Sequence, residues 1–148
     1  MSKHDLVQVV GLEDVQKVLN QMAPKHARNL SRALIHGLAS ETAKEAKKRV
    51  PTDTKTLRKA IKAKRRRGKP NQPVSDVIID KARGAGGDVF YWNMVEYGTG
   101  GKTPQAERPF LRPARDLTEV RMPQMIEEQF KKKLVSAINR AKKKAAKK

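Results

Sequence analysis

A long amphipathic helix between two prolines is the feature that most constrains how this chain can fold. Leu30, Leu34 and Leu38 recur at every fourth position, which places them on one face of an α-helix. Alanines broaden this apolar stripe and would let a neighbouring helix or sheet approach closely, and Pro51 prevents the helix from continuing. The sequence therefore predicts one helix over roughly residues 26–49.

A shorter helix precedes this one, and a further helix is predicted in the last third of the chain. Apolar residues from Leu12 to Met22 fall at helical spacing, and Pro24 ends that segment. Near the C-terminus, Pro123 either kinks the last helix or marks its start. Apolar residues recur there at every fourth position: Ile126, Phe130, Leu134 and Ile138.

Two segments have the alternation that is typical of β-strands. Residues 6–10 predict a short strand, and residues 74–80 predict a strand with a partly buried face. Residues 57–67 are the candidate hairpin partner of the second strand, which would place an arginine cluster near the connecting loop. Glycine-rich loops are predicted at 84–87 and 98–101, and the large side chains of residues 90–95 are expected to cap the core.

Positive charge is concentrated in two segments. The 148 residues carry a formal net charge of +19, and two acid-free segments, residues 62–69 and 131–148, hold fifteen of these charges. Such segments suit the phosphates of a nucleic acid, an acidic protein surface, or simple solvation. No aromatic residue lies within either segment, which argues against single-strand or RNA recognition because bases stack on aromatic rings.

The sequence contains no pattern typical of an active site, so we expect no enzyme activity and no catalytic residues. Cysteine is absent, the three histidines lack metal-ligand spacing, and we expect neither metal nor cofactor. The string from Gly100 to Thr103 is similar to the end of a phosphate-binding loop, but Glu96 stands where that motif needs glycine. No apolar run is long enough to span a membrane, and neither a membrane partner nor a small-molecule substrate is expected.

Two motifs in the middle of the chain resemble a known family. Residues 91–99 read YWNMVEYGT, and residues 108–114 read RPFLRPA. Together they closely resemble the Tyr…Val-Glu-x-Gly-Thr and Arg-Pro-Phe-x-Arg-Pro-Ala pattern of small neck and tail proteins of long-tailed double-stranded DNA bacteriophages. These are described as head–tail connector, tail-completion or minor tail proteins. The resemblance covers about residues 7–117, with Lys55 and Ala60 departing from the family's usual glycine and serine.

The resemblance implies an α+β fold. In this fold a small antiparallel sheet is packed by one long helix, with a short N-terminal helix and a C-terminal helix. Phe110, held between two prolines, is expected to pack against the long helix. We expect a single assembly domain over residues 1–130 and a basic tail, helical or disordered, over residues 131–148.

The resemblance also implies a structural role in the virion, after assembly in the host cytoplasm. Copies of the chain would form a homo-oligomeric ring at the joint between head and tail and dock onto adjacent neck and tail proteins. Candidate subunit-interface residues are Glu96, Gly98, Thr99, Phe110 and Arg112, of which Glu96 and Arg112 could pair within or between subunits. Candidate contacts with double-stranded DNA in the channel, or with an acidic partner, are Lys64, Arg65, Arg66, Arg67, Lys142, Lys143 and Lys144.

A free-standing nucleic-acid-binding protein, histone-like or ribosome-associated, is the alternative. It would use the same two basic segments on phosphates, without sequence preference and with a steep salt dependence. The Gly- and Pro-rich middle of the chain favours the assembly role, because a purely electrostatic binder has no need of these motifs.

Overall fold

The structure, a computed structural model, describes residues 12–51, 55–80 and 89–146. The predicted strand at residues 6–10 and the glycine-rich segment 84–87 lie outside the described residues. Residues 61–66 and 74–79 form a two-stranded antiparallel sheet, so the predicted α+β fold is confirmed. The elements in chain order are α1 (Leu12–Gln21), α2 (Pro24–Arg49), α3 (Lys55–Ala60), β1 (Ile61–Arg66), β2 (Val74–Ile79), α4 (Trp92–Tyr97) and α5 (Leu111–Ala145).

The long helix begins two residues earlier than predicted. α2 starts at Pro24, because proline is well suited to the first turn, where its missing N–H would have no helical partner. It ends at Arg49, two residues before Pro51, as the sequence indicates. The short helix α1 also occupies the predicted segment.

Residues 57–67, the candidate hairpin partner of the second strand, are divided between a helix and a strand. Residues 57–60 belong to α3, and β1 begins only at Ile61. The helical turn places Leu57 and Ala60, three residues apart, on one buried face. The buried residues Leu57, Ala60 and Ile61 follow helical spacing and not the period-two alternation of a strand.

The structure adds detail to two further predicted segments. Residues 92–97, part of the segment expected to cap the core, form the short helix α4. Pro123 does not mark the start of the last helix, since it lies inside α5, which begins at Leu111. The start is set by the polar contacts at residues 110–112 described below, which lie far from Pro123 in sequence.

The structure divides into two compact units, each with its own core. The helical unit comprises the described parts of Met1–Leu38, Arg67–Val74 and Arg121–Lys148, and the sheet unit comprises those of Ala39–Arg66 and Ser75–Val120. The core of the helical unit combines residues of α1, α2 and α5: Val15, Leu30, Leu34, Phe130 and Leu134.

The core of the sheet unit contains the fully buried Phe110. It packs in one cluster with Ala43 and Ala46 of α2, as the sequence predicts. These small side chains on α2 leave room for a large aromatic ring. The same cluster includes Leu57, Ala60 and Ile61, so the second half of α2, α3 and β1 share one apolar core.

None of the helices in the described part of the chain is both long and apolar enough to cross a bilayer.

Candidate functional site

The carboxylate of Glu96 caps the N-terminus of α5. Glu96 lies on α4 and is fully buried. Its Oε2 accepts hydrogen bonds from the backbone N–H groups of Phe110 at 2.7 Å and Leu111 at 2.9 Å, and its Oε1 accepts one from the N–H of Arg112 at 3.0 Å. The first N–H groups of a helix have no partner within it and carry partial positive charge. Glu96 therefore both satisfies these donors and interacts favourably with the helix dipole.

The Arg112 side chain forms further hydrogen bonds with Glu96 and its surroundings. Its Nε donates to Glu96 Oε1 at 3.2 Å, and one of its terminal nitrogens donates to the backbone oxygen of Glu96 at 2.8 Å. The same nitrogen donates to the Glu107 carboxylate at 2.8 Å. The guanidinium carbon lies 4.9 Å from the centre of the Tyr97 ring, within cation–π range. The pairing of Glu96 with Arg112, left open by the sequence, occurs within one chain.

These contacts set the ionisation of the two groups. Burial raises the pKa of Glu96, but the N–H groups of Leu111, Phe110 and Arg112, with the Arg112 side chain, outweigh it and bring the pKa below its ordinary value. Glu107 and Glu96 in turn raise the pKa of Arg112. Glu96 is thus ionised near neutral pH with both oxygens engaged, which suits a structural role and not proton transfer.

The loop after α4 has a fixed base and an exposed tip. The N–H of Thr99 donates to the backbone oxygen of Gln105 at 3.0 Å, and the N–H of Gln105 donates to Thr99 Oγ1 at 3.0 Å. Gly98 makes the turn into this loop with φ at 74°, and a Cβ there would lie 2.7 Å from the backbone oxygen of Gln105. Residues 100–104 project beyond this closure and are exposed.

An exposed apolar surface lies on α4. Met94 is 44% exposed and Tyr97 60%, and their spacing of three residues places them on one side of α4, while Phe90, 61% exposed, lies two residues before the helix begins. Beside Met94 lies an open cavity of about 600 Å³. Its walls include Pro51, Met94, Val95, Ala106 and Arg108. Trp92 and Val95, on the other side of α4, pack against the core.

The basic residues of β1 differ in whether they have partners. Lys62 pairs with Asp80 and Arg66 with Asp76, each at 2.7 Å. Within the described ranges, no ion pair involves Lys64, Arg65 or Arg67, which are exposed. On α5, Lys131, Lys132, Arg140 and Lys143 are exposed, whereas the side chains of Lys142 and Lys144 lie outside the described part.

The structure brings the five candidate interface residues together near the end of α4 and the start of α5. Glu96 and Phe110 are fully buried inside the sheet unit, while Gly98, Thr99 and Arg112 reach the surface. Sequence reasoning missed Glu107 and the apolar surface of Phe90, Met94 and Tyr97. The spacing of Met94 and Tyr97 would have revealed part of this surface once residues 92–97 were interpreted as a helix. No group of His, Cys, Asp or Glu in the described part of the chain is placed to hold a metal ion.

Comparison with known proteins gives one family. The model of the HK97-gp10-like family, described as "Bacteriophage HK97-gp10, putative tail-component", matches residues 13–98. The matched stretch includes the first motif as far as Gly98 and ends before the second motif at residues 108–114. No curated protein and no solved structure matches the chain.

Proposed function

We propose a role for this protein that follows from the family to which it belongs. The match over residues 13–98 is more than half of the chain, so the protein belongs to the HK97-gp10-like family of bacteriophage tail components. The proposed role is that of a structural virion protein at the head–tail junction. Copies form a homo-oligomeric ring around the DNA channel and dock onto adjacent neck and tail proteins.

The observation that carries this proposal is the exposed apolar surface on α4, held in place by the Glu96 network. Large apolar side chains grouped on the surface of a soluble domain mark protein–protein contacts. Met94 and Tyr97 are presented by a helix whose last turn is fixed, through Glu96, to the start of α5, and Phe90 lies just before that helix. A rigid support of this kind lowers the entropy lost on association.

The unpaired cations support a second contact. Lys64, Arg65 and Arg67 on the hairpin, and the exposed lysines of α5, are suited to the phosphates of DNA in the channel or to an acidic neighbouring protein. They contribute little to the fold, because exposed charges without partners add little stability.

The proposal is tested on the full chain and on virions. Light scattering after size-exclusion chromatography, with negative-stain electron microscopy, measures self-association alone and with neighbouring tail proteins. Mass spectrometry of purified virions measures the presence of the chain. We expect ring-shaped oligomers and a protein present in the virion. A chain that stays monomeric with every neck and tail partner, and is missing from virions, would overturn the proposal.

A matched pair of variants links the assembly to the apolar surface. F90S/Y97S removes two exposed rings from this apolar surface, and V135S removes an exposed apolar side chain from α5. We expect the first variant to lose assembly and the second to retain it. If instead the wild-type chain is a monomer that binds duplex DNA without sequence preference, the free-standing nucleic-acid-binding role is supported.

A further inference from the structure

We propose that two different surfaces of the sheet unit join head to tail between copies of this chain. The cavity beside Met94 receives Val120 from the α5 helix of the next copy. This inference rests on the ring proposed above and specifies the contact that builds it. We call the first surface the pocket surface (Met94, Val95, Ala106 and Arg108) and the second the ridge (Asp116, Leu117, Glu119 and Val120).

The pocket surface has an apolar floor and one positive charge at its edge. Met94, Val95 and Ala106 supply the apolar part of the cavity, which has a volume of about 600 Å³. Arg108 donates its backbone N–H to Val95 at 2.8 Å, which fixes its position. Its exposed guanidinium makes no ion pair with any residue in the described ranges. The cavity therefore suits an apolar side chain with a carboxylate beside it.

The ridge has the complementary chemistry. Val120 is 82% exposed and Leu117 is 36% exposed, and three residues of spacing place them on adjoining parts of one face of α5. Asp116, four residues before Val120, lies next to it on the helix surface, and Glu119 directly precedes Val120 in the chain and is exposed on the neighbouring face of α5. Asp116 pairs with Arg115 at 3.0 Å, whereas Glu119 has no ion pair with a described residue. The exposed apolar side chains of the ridge are thus accompanied by one carboxylate on the same face and one on the neighbouring face.

Size and charge favour a second copy of the chain as the occupant. A cavity of this volume lies in the range of sites that enclose small ligands, and it has room for the side chains of Val120 and Leu117. Glu119 of one copy would meet Arg108 of the next, which would bring two opposite charges together across the contact. A two-fold contact of the pocket surface with itself would instead bring two Arg108 side chains together.

The geometry of such a contact leads to a ring. The pocket surface and the ridge are different residues of the same chain, so each copy offers one of each. A contact between unlike surfaces is heterologous, and repetition of it closes a ring when the rotation between copies permits. The highly exposed Val120 and the open cavity are both accounted for by this single contact.

A mixing experiment tests the head-to-tail arrangement. M94D destroys the pocket surface and keeps the ridge, while V120D destroys the ridge and keeps the pocket surface. We expect each variant alone to be monomeric and an equal mixture to form a one-to-one dimer through the one intact pair of surfaces. V135D, on the same helix but outside both surfaces, is the matched control and should assemble as the wild type does. Circular dichroism checks that each variant is folded.

Crosslinking gives a second, independent measurement. The chain contains no cysteine, so introduced thiols report only their own contact. A106C mixed with V120C and a short bismaleimide should give a crosslinked heterodimer, whereas A106C mixed with V135C should not. The charge reversals R108E and E119R should each weaken association at least tenfold, and the two together should restore it.

The outcomes separate this inference from the function on which it rests. Rings that persist in both M94D and V120D, or a mixture of the two that stays monomeric, overturn the head-to-tail contact and leave the virion role intact. A wild-type chain that never assembles and is missing from virions overturns both. An A106C/V120C crosslink together with the one-to-one dimer supports the inference.

Discussion

Charge is used differently at the start of α5 and on strand β1. At the start of α5, the fully buried carboxylate of Glu96 accepts four hydrogen bonds, three from backbone N–H groups and one from Arg112. On β1 and just after it, Lys64, Arg65 and Arg67 are exposed and have no ion pair with any described residue. The negative charge of Glu96 is buried and hydrogen-bonded within the fold, whereas the positive charges on and after β1 are exposed and can interact with solvent or a partner.

The contrast follows from the cost of desolvation. A buried charge is tolerated only when it is fully hydrogen-bonded, and removal of its partners is then strongly destabilising. An exposed cation keeps its water, so its presence or absence hardly changes the free energy of unfolding. Charge at Glu96 therefore determines structure, and charge on β1 is available for binding.

The largest effect is expected from removing the Glu96 carboxylate. E96A leaves three N–H groups and Arg112 without their acceptor and should lower the free energy of unfolding by about 3–5 kcal/mol. Urea denaturation followed by circular dichroism measures this. E107A is the matched control, because Glu107 belongs to the same network but is exposed, and it should cost about 0–1 kcal/mol. Equal losses in the two variants would contradict the assignment of Glu96 as the buried cap.

A smaller loss is expected from a side chain at Gly98. G98A forces alanine into a positive φ and places its Cβ 2.7 Å from the backbone oxygen of Gln105, which should cost about 1–3 kcal/mol. G100A is the control, because a Cβ at Gly100 meets nothing within 4 Å. Urea denaturation of both variants should show a clear loss only for G98A. A G98A chain as stable as G100A would show that the base of the loop is not rigid.

Acid should remove the contribution of Glu96 gradually. Its pKa is lower in the folded chain than in the unfolded chain, so its stabilisation is complete above the unfolded pKa and is lost as the pH falls through the folded value. The free energy of unfolding of the wild type should therefore approach that of E96Q between neutral pH and strong acid. Curves that stay parallel would contradict this.

A second carboxyl group has a lowered pKa, but its effect on stability is the same in the wild type and in E96Q. The side chains of Arg49 and Lys48 lower the pKa of Glu45 to about 2, so Glu45 also stabilises the fold above its unfolded pKa and loses that effect in acid. Because Glu45 is present in both the wild type and E96Q, the difference between their curves reports Glu96 alone.

The smallest effect on stability is expected from the exposed cations. K64A/R65A/R67A should change the free energy of unfolding by no more than about 0.5 kcal/mol, as is usual for surface substitutions. If these residues contact phosphates, the salt dependence of binding to duplex DNA should become shallower by about one unit of slope per cation removed. Fluorescence anisotropy over a range of salt concentrations measures this. The control K62A alters a cation that is already paired with Asp80.

Helices bounded by proline were predictable, and the junction between α3 and β1 was not. The spacing of Leu30, Leu34 and Leu38 reports a buried face directly, because these residues lie on one side of a helix. Leu57, Ala60 and Ile61 are all buried in one core at helical spacing, but a single turn is too short for periodicity to mark where the helix ends and the strand begins. The start of α5 at Leu111 was missed for a related reason, since its cap comes from Glu96, fifteen residues away along the chain.

The sequence by itself determined the two prolines that bound α2, the basic segments and the family motifs that contain Glu96 and Arg112, and the resemblance carried by those motifs implied the α+β class. Each of these depends on local spacing or residue type, which is readable along the chain. Only the tertiary structure decided that Glu96 is a buried helix cap, that its partner Arg112 lies in the same chain, and that Met94 and Val120 are exposed. Those properties depend on which distant residues exclude water from a side chain, and burial of that kind is decided by packing in three dimensions.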